Sequence, residues 1–182
     1  QEPVTAAGEE INTDVAGVGA AEGSQGSGRR GDARGEALRI HGGNSNTEDA
    51  VGAGLLWLMR HQDQDGSWSP DHFDRHCEDT ETPCNGAGYP EHRAGITALA
   101  LLALLGNGSM PDDDGDPSSV ACNRALQWLL DHKDPSGCIR TDISTGARNL
   151  YDHGIATFAL CEAAELTGDP AITEAARSAI YF

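Results

Sequence analysis

The sequence predicts an all-α chain, and three observations predict it. Apolar residues recur at helical spacing in five segments, divided by turns rich in Gly, Pro and Asp. No segment alternates convincingly between apolar and polar residues, and 139–143 is the one weak strand candidate. Two pieces of the pattern return further down the chain, which marks a fold of stacked units. The 182 residues suit one domain of ordinary size, or a smaller domain with a tail. The net charge is −17, from 29 acidic and 12 basic residues, which argues against a nucleic-acid partner. No apolar run approaches the ~18–20 residues that cross a bilayer, and no basic-then-apolar leader follows Gln1.

Residues 1–46 read as a flexible Gly-rich tail. They hold ten glycines and no aromatic residue, too little apolar surface to offset the entropy of ordering. Arg29, Arg30, Arg34 and Arg39 belong to this tail, as a solvated linker or a short basic arm. The domain, 47–182, opens with Ser45-Asn46-Thr47-Glu48, which matches a capping box. The first helix then carries Val51, Leu55, Leu58 and Met59 on one face. A turn containing Gly66 ends it, and a long irregular loop follows over 69–91. The second helix, 93–105, is apolar all round, so burial in protein is expected, with Gly106 closing it. Asp116 as cap and Pro117 in the first turn start a third helix bearing Ala121, Ala125, Trp128 and Leu129. A fourth starts near Asp152 and carries Ile155, Ala159, Ala163 and Leu166. Asp169-Pro170 starts a fifth.

The tryptophans of Leu56-Trp57-Leu58 and Trp128-Leu129-Leu130 stand 71 residues apart, and Gly66 and Gly137 keep the same offset. Gly95-Ile96-Thr97-Ala98-Leu99 is echoed by Gly154-Ile155-Ala156-Thr157-Phe158. Trp57-Leu58, Gln62, Gly66 and Trp68 reproduce the spacing of the QW motif. The second copy keeps Trp128 and Gly137 but has Lys133 for glutamine and Ile139 for the last tryptophan. On these residues, 47–182 resembles the prenyltransferase/squalene-oxidase repeats of terpenoid cyclases and protein prenyltransferases. The likeness is closest to bacterial proteins that carry the repeat behind a Gly-rich linker. The resemblance implies part of an α/α toroid, with an inner and an outer ring of helices and the most apolar helices inside. Half a ring would leave its last helix bare, which suits a fragment of a longer chain or completion by association. The motif residues Trp57, Gln62, Gly66, Trp68, Trp128 and Gly137 read as scaffold. An amide can bond backbone at a neighbouring helix end, and an indole can cover that end.

Chemistry-bearing groups are fewer. The family's cyclases use an Asp-x-Asp-Asp acid, which this chain lacks. Asp112, Asp114 and Asp116 have the spacing of a calcium loop, or of a solvated turn in which Asp116 caps a helix. Asp152 and His153, with Cys138 before them, are loose counterparts of the family's Asp, Cys and His zinc ligands. A capping Asp followed by a packed His is the other reading. Cys77 and Cys84 enclose six residues and suit a disulfide, reduced thiols, or a zinc site completed by His72 and His76. Five cysteines leave at least one unpaired, with Cys122 and Cys161 as the helical candidates.

The expected function is a non-catalytic scaffold or binding module for a protein or lipid-like ligand, placed in the cell envelope or outside the cytoplasm. The alternative is part of an isoprenoid-lipid enzyme whose acid or metal-binding residues lie outside this chain. Fold alone does not separate the two.

Overall fold

The computed structural model describes residues 31–78, 81–111, 115–141 and 150–182. Six α-helices follow in order: α1 (Gly31–Ile40), α2 (Ser45–Arg60), α3 (Arg93–Gly106), α4 (Pro117–Asp131), α5 (Leu150–Thr167) and α6 (Pro170–Ile180). Among the described residues there is no strand. A single antiparallel bridge, Lys133 with Ile139, is all that the weak strand candidate contributes. Among the described residues, no helix is long and apolar enough to cross a membrane.

Helix α1 corrects the reading of 1–46 as wholly a tail. Its C-terminus is closed by a Schellman-type turn, with Gly42 at φ +82° and the Gly43 N–H donating to the Leu38 carbonyl at 2.7 Å. Arg34 fixes the helix from its side. The Nε donates to Glu48 Oε2 at 2.9 Å, and Nη1 reaches the Asn107 carbonyl at the end of α3. Arg34 is thus bound inside the fold rather than offered to an anionic surface. Arg39 pairs with Glu36 on the exposed face of the same helix. Arg29 and Arg30 lie outside the described residues.

The cap of α2 sits one residue earlier than the sequence suggests. Asn44 Oδ1 accepts from the N–H groups of Asn46 and Thr47, and Thr47 Oγ1 accepts the Asn44 N–H. Both Asn44 and Ser45 are good cap residues, and in the structure Asn44 takes the role. Pro170 opens α6 behind Asp169, whose side chain accepts the Ala171 N–H at 2.7 Å. Asp116 precedes α4 in the cap position, yet its carboxylate bonds the Ser118 hydroxyl rather than a backbone N–H. At the end of α3 the left-handed residue is Gly108, at φ +93°, while Gly106 remains helical.

The core lies between α3, α5, α4 and α6. Helix α3 packs most extensively on α5, α5 on α6, and α3 on α4. Leu101, Leu104, Leu105, Leu126, Leu129 and Leu160 are fully buried there, with small residues such as Ala98 and Ala159 allowing close approach. Gly95 marks a close approach of α3 to α5, since a Cβ on it would lie 2.5 Å from Asp152 Oδ1. Helix α2 stands at the edge and buries no residue fully. Leu55, Leu58 and Met59 pack on the core, while Val51 is exposed.

Helix α3 is not buried all round. Ile96, Leu99 and Ala103 form an exposed stripe at helical spacing, and α5 exposes Tyr151 and Phe158. The two helices that pair most closely thus leave apolar side chains facing solvent.

Candidate functional site

Two turns of the same design lock the helices together. After α2, the Asp63 N–H donates to the Ser67 carbonyl at 2.8 Å and the Gly66 N–H to the Asp63 carbonyl at 3.0 Å. After α4, Asp134 donates to Cys138 at 2.8 Å and Gly137 to Asp134 at 2.9 Å. The glycines have φ +97° and +96°, and a Cβ on either would strike a backbone carbonyl, Arg124 for Gly66 and Ser178 for Gly137. Each turn is seated on a later helix: the first on α4, the second on α6. Gln62 Nε2 donates to both the Gly66 and Ala121 carbonyls at 2.9 Å, tying turn to helix. Arg124 returns the bond, donating to the carbonyls of Asp63 at 2.8 Å and Gln64 at 2.6 Å.

The tryptophans divide by environment. Trp68, 3% exposed, donates its Nε1–H to the Leu58 carbonyl in the last turn of α2 at 2.8 Å. Trp128 is 4% exposed and bonds Asp65 of the first turn. Trp57 is 41% exposed and stands outside the buried core. It stacks on His61 at 4.0 Å between ring centres, and Trp128 stacks on His132 at 3.6 Å. Both histidines place Nδ1 2.8 Å from the carbonyl of their tryptophan. That contact assigns the proton to Nδ1 and leaves the Nε2 lone pair free.

His61 is 5% exposed, and its Nε2 faces two sulfurs: Cys77 Sγ at 3.5 Å and Cys84 Sγ at 3.7 Å. The Cys84 N–H points at Cys77 Sγ from 3.2 Å. The two cysteines are not disulfide-bonded. Among the described residues, these three form the only His/Cys/Asp/Glu group whose ligand atoms lie within 4.8 Å of one another. Sequence reasoning missed His61, and its position four residues after a tryptophan, shared with His132, was the available signal. It chose His72 and His76, which the structure turns elsewhere. His72 is exposed beside Asp71. His76 Nε2 lies 2.6 Å from Asp63 Oδ1, and Arg75 completes that pairing.

Beside this cluster, Trp57 and Phe73 form one wall of a cavity of about 410 Å³. Trp68, Ile96, Leu99 and Ala100 form the other walls, and Ser69 is the main polar lining. This volume falls in the range of small-ligand sites.

The other candidates do not assemble. Asp112 and Asp114 lie outside the described residues, so only Asp116 of that group is placed. Asp152 is buried in the first turn of α5, which begins at Leu150, and pairs with His92 Nδ1 at 3.2 Å. Burial pushes its carboxyl above the ordinary range, and the His92 contact opposes this. His153 is committed to packing. Nδ1 accepts the Ile139 N–H at 3.2 Å and Nε2 donates to the Ala179 carbonyl at 3.1 Å, so no lone pair remains for a metal. Cys122 is a buried thiol whose pKa burial pushes up to about 12, a core residue without reactivity.

Burial holds the His153 imidazole below its ordinary value of 6.5, against smaller opposing effects of the Ala179 carbonyl and Asp134. The unfolded chain therefore takes this proton first. The stability that His153 contributes is complete above 6.5 and falls as pH drops through that value toward the lowered one. Unfolding midpoints of wild type and His153→Gln across this range check it: the variant should show a smaller fall. An identical fall in both would assign the acid sensitivity to other groups.

Comparison of the chain with protein-family models, with curated proteins and with solved structures finds no match to any of them.

Proposed function

We propose that this chain is a helical-repeat binding module of the terpenoid cyclase and prenyltransferase toroid type, which holds an apolar, lipid-like ligand without converting it. The observation that carries this reading is the cavity between Trp57, Phe73 and α3. Its lining is aromatic and aliphatic, and none of its residues is an acid or a base. Such a surface rewards apolar burial, about 25 cal/mol per Å², and supplies no proton to a substrate. The toroid reading draws on the twice-used Gly turn and on the exposed apolar stripes of α3 and α5. In a ring, those stripes would face the central space.

The test is titration of the purified chain with farnesol, an uncharged isoprenoid alcohol, followed by tryptophan fluorescence and product analysis. Saturable quenching and recovery of unaltered farnesol are expected. Leu99→Asp puts a charge on an exposed part of the lining without touching the core, and should weaken binding at least about tenfold, or 1.4 kcal/mol. Quenching that does not saturate, or that Leu99→Asp leaves unchanged, would overturn the cavity as the site. Conversion of the ligand would overturn the non-catalytic reading.

A further inference from the structure

We propose that His61 Nε2, Cys77 Sγ and Cys84 Sγ form a binding site for a thiophilic divalent cation of the zinc class. The distances carry the argument. In tetrahedral zinc, with Zn–N about 2.0–2.1 Å and Zn–S about 2.3 Å, the N–S edge is about 3.6 Å. The two Nε2–Sγ separations are 3.5 and 3.7 Å. The third edge joins the two sulfurs, which also lie within 4.8 Å of each other and are unbonded.

The surroundings are those of a metal ligand set. The Trp57 carbonyl accepts a hydrogen bond from Nδ1–H and so fixes the tautomer in which the Nε2 lone pair is available to a metal. Trp57 stacked on the ring fixes its plane. The Cys84 N–H aimed at Cys77 Sγ holds that sulfur in place beside the imidazole. His61 is nearly enclosed, so the site is built into the fold rather than scattered on its surface.

The second repeat serves as an internal comparison. His132 has the same tautomer, the same stack and the same place after its helix, yet it belongs to no group of three close ligand atoms among the described residues. The Trp–His pair is thus a property of the repeat. The sulfurs come from the irregular loop after Trp68, where Cys77 ends a short 3₁₀ turn at Phe73–His76. A loop of this length with little regular structure gains most from a cross-link. The cation joins it to the end of α2 and leaves a fourth coordination position to water or an added ligand. On binding, each thiol gives up its proton to the buffer and both sulfurs coordinate as thiolates.

The experiment is titration of the full, reduced, metal-free chain with cobalt(II), read by absorption, with zinc(II) added afterwards. Expected are one equivalent bound, a cobalt–thiolate charge-transfer band, ligand-field bands of tetrahedral strength, and loss of all three on adding zinc. Cys77→Ser and Cys84→Ser should each abolish the charge-transfer band or shift its midpoint at least about a hundredfold, while His72→Gln leaves it unchanged. Both cysteines lie in a loop at intermediate depth, so helix content by circular dichroism verifies that these variants fold. His61→Gln should remove the ligand-field bands. A wild-type chain with free thiols and no band overturns the proposal. So does a band that survives both serine substitutions, or a Cys77–Cys84 disulfide in the chain purified with zinc present.

Discussion

Gly66→Ala should lower the unfolding free energy by more than about 3 kcal/mol. The left-handed backbone alone costs a side chain roughly 1–2 kcal/mol. The added Cβ would also meet the Arg124 carbonyl, which belongs to a helix and cannot step aside. The turn must lift from α4, and lifting it breaks the bonds from Gln62 to Ala121 and from Arg124 to Asp63 and Gln64. Each such bond contributes on the order of 1 kcal/mol. Gly54→Ala provides the opposite sign. Gly54 sits within α2 with nothing near its Cβ position, so alanine should stabilise by up to about 1 kcal/mol. Urea unfolding of the two variants checks both, and a loss below about 1 kcal/mol for Gly66→Ala would mean that the turn is not seated on α4.

Trp68→Ala should cost about 3–5 kcal/mol, the range for a large core side chain. The indole is enclosed and donates its N–H to the Leu58 carbonyl, and the Trp68 backbone N–H donates to Thr97 Oγ1 at 3.1 Å. Trp57→Ala should cost only about 1–2 kcal/mol, because much of that ring is already in water. Equal losses for the two, measured by the same unfolding experiment, would contradict the difference in burial.

The helices were largely legible because they depend on local spacing. The Ala125, Trp128 and Leu129 face of α4, and Asp169-Pro170 before α6, follow from residues within one or two turns. What stayed hidden depends on residues distant in sequence. Helix α1 has few apolar residues, but Arg34 crosses to Glu48 and to the end of α3. Trp57 and Trp68 look alike within the motif, and only the packing of the following loop separates them. The metal candidates show the same limit. His72 and His76 are nearest Cys77 in sequence, yet the loop folds back so that the end of α2 supplies the imidazole.

The seating of each turn on a later helix also orders events during synthesis. Trp68 finds Thr97 after 29 further residues, but the carbonyls of Asp63 and Gln64 await Arg124, about 60 residues downstream. At about 5–20 residues per second, the first turn waits roughly 3–12 s for its seat. Until then Gln62 lacks its α4 partner, and the nascent unit has a docked tryptophan but an unlatched turn. The chain therefore closes in one direction on the ribosome, each unit completed by the one translated after it.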